Sequence, residues 1–234
     1  MELRDIVVET ADGFVYDTCP EVAERITVRN VVQTTAWAWH EGSGYNCPSD
    51  RTLRDVRFES VAYAYGPRAM AGEIRLERVA FVNVRGAIDA TDGQRWTIVD
   101  SLFDGPTSER RGLSVVSAVP LTIERSVFRG ANVGVRLSGS VNRVHEAPLV
   151  RIRGSLFLGN TYGLYSETRD SREIEVRGSV FDGNTTNVEL NTVCCGTTAT
   201  DAADLDLRGN WLGDSGAAST TAGYLAALPP GTVG

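Results

Sequence analysis

Three aspartates lie close together along the chain: Asp89 and Asp92 in AIDATDG, and Asp104 in SLFDG. Carboxylates brought to one edge can ligate calcium through oxygen, or divide the acid and base steps of glycoside cleavage. Turns are also rich in aspartate, because its side chain bonds bent backbone, so the same three residues equally fit plain turn formation. His40 and His145 are far apart in sequence and fall in different loops, which speaks against a histidine metal site or triad. Two aromatic phrases, AWAW (36–39) and AYAY (62–65), could form a platform for stacking sugar rings or fill a core. Which of these holds depends on the elements that carry them.

Composition sets outer bounds. The chain has 234 residues, 42% of them hydrophobic, and a formal charge of −7. A sizeable core is therefore expected and disorder is not. All 23 basic residues are arginine, which fits an arginine-biased genome. A net negative chain is a poor binder of nucleic acid, whose affinity rests on neutralising phosphates. No stretch reaches the roughly 18 apolar residues of a membrane span. The opening MELRDIVVET lacks the basic and apolar regions of a signal peptide.

An internal repeat of about 25 residues organises the sequence. The segments LRDIVVET (3–10), VRNVVQTT (28–35), LRDVRFES (53–60), LERVAFVN (76–83), IVDSLFDG (98–105), IERSVFRG (123–130), IRGSLFLG (152–159), VRGSVFDG (176–183) and LRGNWLGD (207–214) align on Leu3, Val28, Leu53, Leu76, Ile98, Ile123, Ile152, Val176 and Leu207. Apolar residues, Ile74 and Trp96 among them, recur two positions before most anchors. This alternation marks a short strand with one buried face. Phe58, Phe81, Phe103, Phe128, Phe157 and Phe181 stand five residues past an anchor. Gly105, Gly130, Gly159 and Gly183 follow two residues later, where a bend is needed. One short strand, a bend, a second strand and a turn describe a coil of an all-β parallel solenoid, here of about nine coils. The domain is expected over 1–216, with 217–234 as a tail or cap.

The pattern I-x-x-S-x-F-x-G-N-x-x-G-L, clearest in IRGSLFLGNTYGL (152–164), resembles right-handed parallel β-helix proteins of the pectate-lyase-like superfamily. The phrase RGNWLGDSG (208–216) is similar to the NWxG segment that often ends such solenoids. The resemblance spans nearly the whole chain and implies a fold rather than an activity, because this fold hosts many functions. Lyases and hydrolases of the fold use clustered carboxylates, or calcium with arginine and lysine. This chain has no lysine, no GHG or RxK phrase and no paired-aspartate motif like that of the polygalacturonases.

A third strand follows the bend in GFVY (13–16), GLSV (112–115), GVRL (134–137), GLYS (163–166) and NVEL (187–190). Its first and third positions after the Gly or Asn are usually apolar and should face inward. Fitted to that template, Trp37, Trp39, Tyr63 and Tyr65 point into the core, with Phe14 and Tyr16 before them. Ala38 and Ala64 take the outward slot; a slip of one residue would turn every ring outward. Arg4, Arg29, Arg54, Arg153, Arg177 and Arg208 follow their anchors. Glu77 and Glu124 interrupt this file, so it reads as a mixed-sign solvated face rather than a polyanion strip.

Cys19 and Cys47 precede successive coils at equivalent places, within reach of a disulfide, which would imply an oxidising compartment. The adjacent Cys194 and Cys195 could form a vicinal disulfide or pair elsewhere. In a reducing compartment all four are small packed residues. No capping helix precedes residue 3, and an open strand edge is a liability. The expectation is therefore a piece of a longer bacterial protein, secreted or on the cell surface, or a chain whose first coil a partner covers. The leading functional expectation is a non-catalytic module that binds glycan or serves as a spacer or adhesion element, in contact with polysaccharide or another surface protein. The alternative is a lyase or hydrolase of acidic polysaccharide. No catalytic residue is assigned and no cofactor is required; Asp89, Asp92 and Asp104 are the candidate binding residues, with calcium as their candidate ion.

Overall fold

The computed structural model describes residues 2–9, 20–31, 37–40, 50–66, 72–90, 95–105, 111–115, 120–139, 150–168, 173–190, 193–194, 197–198 and 204–213. These residues form strands and bends and no helix. None of them forms a helix long and apolar enough to cross a membrane. The tail over 217–234, the segment of Phe14 and Tyr16, and Cys19, Cys47 and Cys195 lie outside them.

Almost every strand pairs in parallel with its counterpart from the next repeat. The first ladder stacks Arg51–Arg54, Glu73–Glu77, Arg95–Val99, Leu121–Glu124, Val150–Arg153, Glu173–Arg177 and Asp204–Asp206. The second stacks Arg57–Glu59, Ala80–Val82, Leu102–Asp104, Val127–Arg129, Leu156–Leu158, Val180–Asp182 and Trp211–Leu212. Both spring from one longer strand, β2 (Val22–Arg29), whose first half pairs with Arg51–Arg54 and second half with Arg57–Glu59. Beneath β2 lies β1 (Glu2–Glu9), and together these make a 16-stranded sheet. A separate 7-stranded sheet carries the third strand of each repeat, from Trp37–His40 to Thr186–Leu190.

Strict alternation turns one column of each ladder inward. Leu53, Leu76, Ile98, Ile123, Ile152 and Val176 are all buried, as are Ile74, Trp96, Leu121, Val150 and Ile174 two residues earlier. The phenylalanine column forms a continuous ring stack. Successive centroids from Phe58 to Phe181 are 4.4–5.2 Å apart, with interplanar angles of 3–25°. The parallel-strand spacing of about 4.8 Å matches the separation that stacked rings prefer, so register and ring packing reinforce each other.

The second repeat departs from the expected alignment. Ala23, not Val28, stands in the column of Leu3 and Leu53. Val28 pairs with Phe58 and belongs to the phenylalanine column, and Arg29 moves with it to pair with Glu59. The nearly regular step from Leu3 to Val28 hid a short first repeat and a long second one, because alanine is a faint marker for a buried position.

Each passage from the first to the second ladder is made by a single residue with left-handed backbone. These are Asp5, Arg25, Asp55, Arg78, Asp100 and Arg125, at φ 47–55°, and then Gly154, Gly178 and Gly209. The next inward position is apolar in early repeats, then serine at 101, 126, 155 and 179, and asparagine at 210. Ser126 Oγ accepts from the Ser101 N–H at 3.1 Å, Ser155 Oγ from Ser126 N–H at 3.2 Å, and Ser179 Oγ from Ser155 N–H at 3.1 Å. Asn160 and Asn184 act alike after the second ladder: Asn160 Oδ1 accepts from Ala131 N–H at 3.0 Å, and Asn184 Oδ1 from Asn160 N–H at 2.9 Å. The bends thus keep their buried polar groups paired.

Candidate functional site

The corner between the first and second ladders concentrates the charge. Along it the left-handed residues alternate in sign: Asp5, Arg25, Asp55, Arg78, Asp100, Arg125. Arg25 donates through Nε and Nη2 to the two carboxylate oxygens of Asp5 at 2.6 and 2.9 Å. Arg78 grips Asp55 at 2.6 and 2.9 Å, and Arg125 grips Asp100 at 2.7 and 3.1 Å. This two-point geometry matches the planar guanidinium to the carboxylate. The guanidinium bonds hold Asp5, Asp55 and Asp100 below the usual carboxylate range.

The outer faces of both ladders follow the same rule. Glu77 accepts from Arg75 and Arg54, and both hold its carboxyl low. Glu175 meets Arg151, Arg153 and Arg177, at 3.5, 3.2 and 2.8 Å. Asp206 is held well below the usual range, chiefly by Arg208, with Arg177 also within 2.8 Å. On the second ladder Arg57 lowers Glu59, and Arg29 reaches Glu9. Such a face is already neutralised. The guanidinium bonds favour the ionised form of Glu59, Glu77 and Asp206, which suits cohesion of the sheet rather than the donation of a proton from these three groups.

Asp104 ends a strand of the second ladder, where Arg129 Nη2 donates to Oδ2 at 2.6 Å. Asp89 lies in the 7-stranded sheet, in register with Ser114. Asp92 lies outside the described residues. The two placed candidates therefore stand in different sheets, and the register neighbours of Asp104 are Val82 and Arg129, not a second carboxylate. Among the described residues no group of three or more His, Cys, Asp or Glu could hold a metal ion. Cys194 falls in a two-residue antiparallel strand, Val193–Cys194 against Thr197–Thr198.

The aromatic question is answered for two of the four rings. Trp39 and Tyr65 are fully buried and meet edge to face, with centroids 5.9 Å apart. Tyr65 in turn meets Trp96 at 6.4 Å, and Trp39 leans on Phe58 at 6.4 Å. Tyr63 is half-buried, with the Arg85 guanidinium 6.0 Å from its ring centroid. Ala38 and Ala64, expected to face outward, are also buried. The register is offset from the expected one by two residues: Trp39 and Tyr65, not Trp37 and Tyr63, share a column with Ile88 and Leu113. An even offset preserves which face is buried.

Arg51 escapes sequence reasoning altogether. It occupies the interior column of Ile74 and Trp96 and is 1% exposed. Burial pulls its guanidinium below the ordinary value, while neighbouring Tyr65 opposes that fall. Burial likewise pushes the Tyr65 hydroxyl far up.

Comparison of the chain with protein-family models, with curated proteins and with solved structures finds no match.

Proposed function

We propose that this chain is a right-handed parallel β-helix of about nine coils that works as a rigid, non-catalytic spacer or adhesion module of an exported protein. One observation carries the reading: Asp5, Asp55, Asp100, Asp104 and Glu77 are each tied to an arginine of a neighbouring repeat within 3 Å. A polysaccharide lyase or hydrolase needs a carboxyl group free to take or give a proton, or to ligate calcium. Asp104, the candidate with a described side chain, is engaged by Arg129. Stacked rings and hydrogen-bonded bends supply the stiffness a spacer requires.

A thermal-shift screen against acidic and neutral polysaccharides, with and without calcium, tests the proposal. A ligand that binds only the folded state raises Tm once it is well above its Kd. The spacer reading predicts no shift with any glycan. A reproducible rise with one glycan class would replace it with a glycan-binding role. Cleavage of that glycan, lost in Asp89→Asn or Asp104→Asn, would establish the enzyme.

A further inference from the structure

We propose that the outer face of the second ladder, from Leu102 to Trp211, joins two copies of this chain in an antiparallel pair. The two-fold axis runs along the strand Leu156–Leu158.

Alternation sends the middle side chain of each short strand inward, to the phenylalanine column, and its neighbours outward. The outward residues Leu102, Val127, Leu156, Leu158, Val180 and Trp211 are apolar and partly buried, on five successive levels in one register. The outer face of the first ladder is charged at the same height, with Arg151 beside Glu175 and Glu175 beside Asp206. A contiguous apolar face rimmed by charge marks an interaction surface.

Two charges specify the occupant. Arg129 and Asp182 stand in the column of Leu158, one level before it and one after. Arg129 meets Asp104 through Nη2 alone and is 52% exposed. Asp182 is exposed, and its carboxylate makes no hydrogen bond or ion pair among the described residues. A half-turn about the strand direction keeps each column on itself and reverses the order of levels. Leu156 and Leu158 then face the same residues of the second copy. Val127 faces Val180, Leu102 faces Trp211, and Arg129 faces Asp182 twice in the pair. Such a patch is self-complementary, as a two-fold interface requires. Packed sheets stand about 10 Å apart, a gap that arginine and aspartate bridge together.

Other placements fit worse. An axis through Arg129 or Asp182 sets that charge on its own copy. Midway between Val127 and Leu156 the axis sets Asp104 on Asp182. Midway between Leu156 and Val180 it sets Asp182 on Leu158 and Arg129 on Gly213. Axes nearer β1 set Asp104 on Asp104 or Glu59 on Asp182, or leave Trp211 uncovered. A half-turn about the stacking direction sets Arg129 on Val127 and Asp182 on Val180. Like charges face to face, or charges against aliphatic groups, disfavour each of these.

This chain's own segments outside the described residues also match the face less well. Residues 215–234 carry no charge and so offer Arg129 and Asp182 no ion pair. Residues 106–110 start at the level of Leu102; five residues reach out and back by about 8 Å, short of the roughly 14 Å to Val180. Residues 140–149 and 195–203 lie between a third strand and the next first strand, at a corner the second ladder does not share. The face measures about 24 by 10 Å. That is small beside the roughly 800 Å² per partner of a standard interface, so the pair is weak and forms at high concentration.

Sedimentation velocity of the full chain from about 10 µM to about 1 mM tests the proposal. The unaltered chain should pass from monomer to dimer in that range. Arg129→Asp and Asp182→Arg should each weaken dimerisation at least about tenfold, because each sets like charges together twice. An equimolar mixture of the two variants should recover it, since every exchanged charge then faces its opposite. A mixture that associates no better than the separate variants would overturn the proposal, as would a dimer that neither substitution weakens. The unaltered chain decides the matter even if a variant folds poorly: a monomer up to about 1 mM would assign the face to the chain's own tail or to another protein and overturn the pair.

Discussion

Arg25 holds Asp5 through two bonds, at 2.6 and 2.9 Å, although both residues stand in left-handed backbone, at φ 53° and 55°. Two strained positions in successive repeats are thereby converted into a tie between them. The motif recurs at Asp55–Arg78 and Asp100–Arg125 and then gives way to Gly154, Gly178 and Gly209. Early repeats thus bend on paired charge, and late repeats on glycine.

Acid should loosen this arrangement. Asp5, Asp55, Asp100, Glu59, Glu77 and Asp206 have folded-state pKa values below those of the unfolded chain. The unfolded state therefore binds more protons, and stability falls as pH drops from about 4 through the folded values. Melting curves from pH 7 to pH 3 should show a fall in Tm confined to the acid end. The fall should be smaller at high salt, where exposed pairs are already screened. A Tm that stays level down to pH 3 would contradict the pairing.

The phenylalanine stack should dominate stability. Phe128 is fully buried between Phe103 and Phe157, at 4.5 and 5.1 Å. Phe128→Ala should lose about 3–5 kcal/mol in denaturant unfolding. Val127→Ala, on the outward side of the same strand, should lose less than half as much. Equal losses would mean that the two faces are misassigned.

Asn160 should be nearly as sensitive despite its polarity. It serves Ala131 N–H and Phe128 C=O, at 3.0 Å each. Asn160→Ala strands both groups in the interior, at about 1–3 kcal/mol for each. A loss below about 0.5 kcal/mol would show that water replaces the side chain.

Two glycines separate strain from crowding. Gly159 has φ +60° and open space where a Cβ would sit. A Cβ at Gly163 would lie 2.6 Å from the Asn187 carbonyl and 2.9 Å from the Phe181 ring. Gly159→Ala should cost about 1 kcal/mol through its backbone alone. Gly163→Ala should cost more, about 1–3 kcal/mol, by pushing neighbouring repeats apart. Chemical denaturation of the two variants gives the order directly.

Much of this architecture is legible in the chain because each column repeats one kind of residue. Phenylalanine every 22 to 29 residues, from Phe58 to Phe181, fixes the second ladder without any structure. The first two repeats are less clear. Ala23 is a weak marker and Val28 a strong one at the wrong place, so Arg25 was not seen to share a column with Asp5 and Asp55. The alternating corner charge was hidden by that one slip. Arg51 was missed because an apolar column does not announce an exception. The burial of Trp39 and Tyr65 followed from alternation alone, whereas the burial of Ala38 and Ala64 did not, since alternation does not tell what lies over a face.

The central claim is that exposed carboxylates are engaged by arginines, of their own strand or of the neighbouring repeat. A carbon-detected NMR titration of the aspartate and glutamate carboxyls tests it most directly. Asp5, Asp55, Asp100, Glu59, Glu77 and Asp206 should all titrate below the ordinary carboxylate range of about 4. A carboxyl among them titrating above about 6, where general acids operate, would contradict the account and mark a catalytic group on this face.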